Sequence, residues 1–190
     1  MFAVAQPDED ILAEVAAAAG PWLGSLLEDE RRQAVAELDE AYPCWVLGTD
    51  AVHAAAQLTS DDDALARVAQ DLGQWHYQIL LDGEPAAFAR AYGRVLPETP
   101  VEVGVVGYSD VAKDVADCVA WAREHAPDGA QVRLLLAPPW HVTALWLSYP
   151  DGSRVVVARS PEPVRGLSPR TLHAGADFLR ALASTAPSRR

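Results

Sequence analysis

Residues 131–159, QVRLLLAPPWHVTALWLSYPDGSRVVVAR, constrain the fold more than any other stretch. Three strand-like runs are joined there by two tight connections. The first, 132–137 (VRLLLA), is almost continuously apolar, as expected of a strand covered on both faces. Pro138-Pro139 must end it, because neither proline can donate to a ladder and the first holds Ala137 extended. In the second run, 141–149, Val142, Ala144 and Trp146 alternate with Thr143, Leu145 and Leu147, so both of its faces are apolar too. Pro150-Asp151-Gly152-Ser153 then supplies turn chemistry, and Asp-Gly is the strongest hairpin signal in the chain. Residues 154–159 (RVVVAR) return antiparallel and are rich in β-branched valine.

The rest of the chain reads as elements that pack against this one. Ile11, Leu12, Val15 and Ala19 share a helical face, and Gly20-Pro21 is expected to break it. A second helix is expected over 22–41, with Leu23, Leu26, Leu27, Ala34 and Leu38 as its apolar stripe and a Glu28–Arg32 pair on the other side. Thr49-Asp50 can open a brief helix to Leu58. Ser60 is placed to cap another, with Asp61, Asp62 and Asp63 in its first turn, Leu65, Val68 and Leu72 buried, and Gly73 closing it. The period then becomes two: Trp75, Tyr77, Ile79 and Leu81 alternate with His76 and Gln78, the pattern of a half-buried strand. Asp82-Gly83-Glu84-Pro85 turns the chain into a partner strand at 86–90. A further strand is expected at 101–106 and a helix at 110–125, its buried face Val111, Val115, Cys118, Val119 and Ala122. Ser168-Pro169 should open a last helix docked by Leu172, Leu179 and Leu182. The expectation is one α+β domain over 1–190: a mainly antiparallel twisted sheet with packed helices, 1–73 mainly helical and 74–184 holding the sheet. No internal repeat or linker divides it.

Composition narrows the function. The net charge of −12 leaves no basic stripe to neutralise phosphates, so nucleic acid is not an expected partner. Lys113 is the single lysine among the basic residues; with so much alanine, this arginine usage fits a GC-rich bacterial genome. No apolar run approaches the roughly 18 residues of a membrane span. The start MFAVAQPDED has neither the basic region nor the apolar length of a signal peptide. Cys44 and Cys118 form neither a disulfide framework nor a metal motif. A cytoplasmic location is expected.

Chemistry is sparse. Pro138-Pro139-Trp140-His141 makes a stiff corner in which Trp140 offers a large face and His141 a titratable ring. The simpler reading, in which Trp140 plugs the sheet edge and His141 is an exposed turn residue, is preferred because no partner stands at readable spacing. Trp140 is nonetheless the tryptophan most expected at a surface. If the face of His76 and Gln78 is open, His76 and His141 could converge. No HxH, HExxH, CxxC or GxSxG pattern is present, so neither a metal site nor a serine nucleophile is expected. Gly104-Val105-Val106-Gly107 precedes a helix whose start, at Tyr108 and Ser109, could receive an anion.

Helices, an Asp-Gly hairpin, a strand and then a helix form an element order similar to that of GNAT-type N-acyltransferases, over about half the chain. That resemblance implies coenzyme A pyrophosphate in the loop opening the helix. The family's Q/R-x-x-G-x-G/A signature is missing, the loop reading GVVGYSDVA without arginine, and PPWHV replaces the helix that should follow the next strand.

The preferred expectation is a non-enzymatic binding or accessory protein without cofactor. It recognises a protein partner or small ligand through a sheet edge and the Trp140 corner, with His141, His76, Tyr108 and Ser109 as further candidates. The alternative is a small acyltransferase-like enzyme holding an acyl-coenzyme at the 107–110 helix start.

Overall fold

In the computed structural model, residues 7, 9–27, 35–57, 64–92 and 101–187 are described. They form an α+β fold built on one eight-stranded sheet of order β4-β3-β2-β1-β5-β6-β7-β8. The strands are β1 (Ala36–Val46), β2 (Gln70–Leu81), β3 (Glu84–Tyr92), β4 (Val103–Tyr108), β5 (Gln131–Ala137), β6 (Val142–Tyr149), β7 (Gly152–Arg159) and β8 (His173–Ala174). Neighbours are antiparallel throughout except β1 and β5, which meet in parallel at the centre. The helices are α1 (Glu9–Leu26), α2 (Thr49–Ala56), α3 (Ala64–Val68), α4 (Asp110–His125) and α5 (Gly175–Ala183).

Alternation along the strands distributes the helices over the two faces. On β1, Tyr42 and Cys44 face α4, packing with Val115, Cys118, Val119 and Ala122. Ala41 faces the other way into a cluster with Val15, Ala19 and Leu23 of α1 and Leu27 just after it. Trp45 shares that second face but joins the cluster of α2, α3 and α5, with Val52, Leu65, Phe178 and Leu182. The element order repeats: four strands and a helix (β1–β4, α4), then four strands and a helix (β5–β8, α5), interrupted only by α2 and α3. No repeat of residues signals this.

The 131–159 element forms as expected, with β5, β6 and β7 antiparallel and one register shift between β6 and β7 at Thr143/Ala144. Asp82 and Gly83, both at positive φ, turn β2 into β3. Ser109 caps α4, its hydroxyl accepting from the Val111 N–H at 3.3 Å.

Several expectations are corrected. Pro21 does not break the first helix: α1 runs through it, because Val15, Ala19, Leu23 and Leu27 continue one buried stripe while Pro21 stays on the exposed side. The helix expected over 22–41 ends at Leu26; residues 28–34, with the Glu28–Arg32 pair, lie outside the described residues, and 36–41 begin the central strand. Alanine, glutamate and leucine favour helix there, and pairing with β2 overrides them. Pro43 is accommodated because the parallel ladder to β5 starts only at Cys44, one residue later. The 1–73 segment therefore contributes a central strand as well as helices.

The Asp61–Asp63 cap lies outside the described residues, and α3 stops at Val68. Gly73, at φ +62, sits inside β2, where Asp71 Oδ1 accepts from its N–H and the register to β1 slips. It forms a bulge rather than a helix cap. Ser168-Pro169 does not open α5: the chain first pairs as β8, and α5 starts at Gly175.

Candidate functional site: the β4 edge and the polar layer behind it

β4 reads VGVVGY, valine-rich, and pairs through Val105↔Arg90, Val106↔Ala89 and Gly107↔Phe88 with β3 among the described strands. No described strand pairs with its other side. Gly107 is required by close packing: a Cβ there would lie 2.6 Å from the Phe88 ring. Val105 is 48% exposed, and Trp22 on α1 is 62% exposed beside it; Leu26, Tyr92 and Tyr108 are exposed as well. Trp22, Val103, Gly104, Val105 and Val106 line a recess of about 230 Å³.

At the end of the strand, Tyr108, Ser109, Asp110, Lys113, Pro85 and Ala86 line a second recess of about 200 Å³. The Ser109 hydroxyl is engaged in capping, and Asp110 in the first turn already sets a carboxylate against the positive end of the helix. Lys113 pairs with Asp117 at 2.6 Å. The resulting charge balance does not favour a diphosphate.

Behind the edge, on the α4 side, lies a polar layer that the alternation of β2 disguised. His76 and Gln78 do not face an open cleft: both are buried beneath α4, and Gln78 Nε2 donates to the Ala112 carbonyl at 2.9 Å. His76 stacks on Phe88 with 4.9 Å between ring centroids, and the Arg90 guanidinium lies 5.3 Å from the same ring. Among the described residues, no hydrogen bond reaches the His76 ring nitrogens, Gln78 Oε1 or Arg90 Nε. Burial, helped by the Arg90 charge, pushes the His76 pKa down to about 3, so the ring is neutral at ordinary pH. Burial raises both the Cys44 and Cys118 thiols to about 12. A neutral imidazole and protonated thiols do not make an activated nucleophile pair.

The corner of Pro138–Trp140 is a 3-10 turn, closed by His141 at φ +52. Trp140 is 1% exposed, and its Nε1 donates to the Thr185 carbonyl at 2.9 Å. It anchors the end of α5 and presents no surface to a partner. His141 is exposed while His76 is buried, so the two do not share a site. Among the described residues no group of three or more His, Cys, Asp or Glu side chains is placed to hold a metal. A third recess, about 200 Å³ and mainly apolar, lies among Val142, Val157, Val164, Leu167 and Pro169.

Sequence reasoning missed Trp22, Val105 and Tyr92. Trp22 fell outside the apolar stripe of its own helix, which was a usable signal; that VGVVGY is an edge depends on strand order, which no local pattern carries. Compared with known proteins, the chain matches no family model, no curated protein and no solved structure.

Proposed function

We propose that this is a non-enzymatic, acidic cytoplasmic binding protein that recognises a protein partner through the open β4 edge of its sheet. One observation carries the reading: β4 is a six-residue edge strand without a charge or a proline, flanked by exposed Trp22 and Tyr92. Proteins ordinarily blunt such an edge, because its free N–H and C=O groups pair with any extended chain. An edge left open serves pairing by strand addition. Both cysteines are free and buried, which suits a reducing compartment. The acyl-coenzyme alternative gains no support from the α4 start, where Asp110 occupies the first turn and Glu84 adds negative charge near Lys113.

The test is site-specific photo-crosslinking in the native cell from position 105 on β4 and from position 173 on β8. The reading expects a discrete adduct with another protein from 105 and none from 173. Adducts of equal yield from both positions, or none from 105, would refute it.

A further inference from the structure

We infer that the occupant of the β4 edge is an extended segment of another protein, apolar at alternate positions and carrying a basic residue at each end. This rests on the edge reading above and gives it a chemistry. β4 spans six residues, about 20 Å of extended chain. Its core residues are uncharged, while exposed acidic groups stand just beyond each end: Glu102 before it and Asp110 after it. The helix beside the edge, α1, carries Asp10 and Glu14 and no basic residue, and the whole chain carries −12. Lys113, the lysine near the far end, is engaged by Asp117.

A strand laid on this edge therefore meets the exposed carboxylates of Glu102 and Asp110 at its two ends and a ladder of uncharged side chains between them. Lysine or arginine at each end complements these carboxylates in either strand direction. An apolar side chain set beside Gly104 enters the recess walled by Trp22, Val105 and Val106. Gly104 has only the Tyr92 ring and the Arg90 carbonyl within 4 Å of where a Cβ would stand, so that approach is unobstructed by its own side chain. A second copy of the chain is a poorer fit, since pairing edge to edge would bring Glu102 and Asp110 of each molecule together under a net charge of −12 apiece.

The experiment measures fluorescence anisotropy of labelled peptides with the full-length protein at low salt. One peptide, about ten residues long, alternates valine and threonine between paired lysines; its twin has glutamates in place of lysine. The lysine-flanked peptide is expected to bind at least about tenfold more tightly, with affinity falling as salt is raised. The double charge reversal Glu102→Lys with Asp110→Lys should invert the preference. Val105→Lys, with its circular dichroism unchanged, should weaken the lysine-flanked peptide, whereas His173→Lys should not. Equal binding of the two peptides would overturn the charge assignment and leave the edge reading intact. Binding of neither, with crosslinking from 105 preserved, would overturn the extended-segment assignment alone. Sedimentation showing a dimer that the peptide cannot compete apart would assign the edge to a second copy and overturn the inference.

Discussion

The two outer edges of the sheet belong to halves of the same element order, yet they are finished in opposite ways. At the β8 end, the edge strand is two residues long and pairs with β7 only through Arg154↔Ala174 and Val155↔His173. The segment leading to it carries Pro161, Pro163 and Pro169, and Pro169 bridges to Val157. Val164 is buried and Leu167 packs into the same core, so the segment is fixed over the sheet. A short strand, proline and a packed loop are the usual ways to silence an edge. At the β4 end none of these is present among the described residues. The contrast separates an edge finished for stability from the one through which we propose recognition.

The largest effect should come from damaging the shared core. Trp146 is wholly buried, its Nε1 donates to Ser153 Oγ at 2.9 Å, and Arg133 lies 4.4 Å from its ring centroid. Trp146→Ala should cost about 3–5 kcal/mol by urea unfolding, from lost packing and a stranded buried hydroxyl. A cost under about 1 kcal/mol would show that β6 is less central than described.

Acid should come next, acting on the β4 half. His76 has a folded pKa of about 3 against an ordinary 6.5, so below pH 6.5 the unfolded chain takes up a proton that the folded one refuses. Its contribution is constant above that value and falls by about 1.4 kcal/mol per pH unit down to about pH 3. Unfolding free energies measured at pH 7 and pH 5 should differ by less in His76→Gln than in the parent. An unchanged difference would remove His76 as the cause.

Gly107→Ala should cost about 1–3 kcal/mol, because its methyl group meets the Phe88 ring. Combining it with Phe88→Ala should cost less than the two single losses added, read as a double-mutant cycle. Strict additivity would mean that β4 moves away freely instead of being clamped to β3.

The smallest effect on stability should be Val105→Lys, within about 0.5 kcal/mol of the parent. The same substitution should abolish the crosslinked adduct made from a neighbouring β4 position. A stability-neutral variant that leaves recognition unchanged would erase the functional distinction between the two edges.

What could be read beforehand follows a physical division. The 131–159 meander was legible because its pairings are local, its turn is Asp-Gly and its strands are apolar on both sides. Ser109 as a cap and the buried face of α4 were legible for similar reasons. Residues 36–41 were not, since AELDEA satisfies helical spacing and helix propensity, and only pairing with β2 makes it a strand. His76 and Gln78 looked solvent-facing because polar residues alternate with apolar ones. Their burial depends on α4, which begins more than thirty residues later at Asp110. Trp140 looked exposed because proline-rich corners are usually at surfaces, while its actual partner, Thr185, lies 45 residues away. Of the candidate site, Tyr108 and Ser109 were named from the helix start, but the open edge beside them appears only once strand order is known.

Amide hydrogen exchange along β4 tests the central claim most directly. In the isolated protein, amides bonded to β3 should be protected while the alternate amides facing outward exchange at nearly the rate of an unstructured chain. Uniform protection of every β4 amide, comparable with that of β5 and β6, would mean that the edge is already covered, and the proposed recognition surface would not exist.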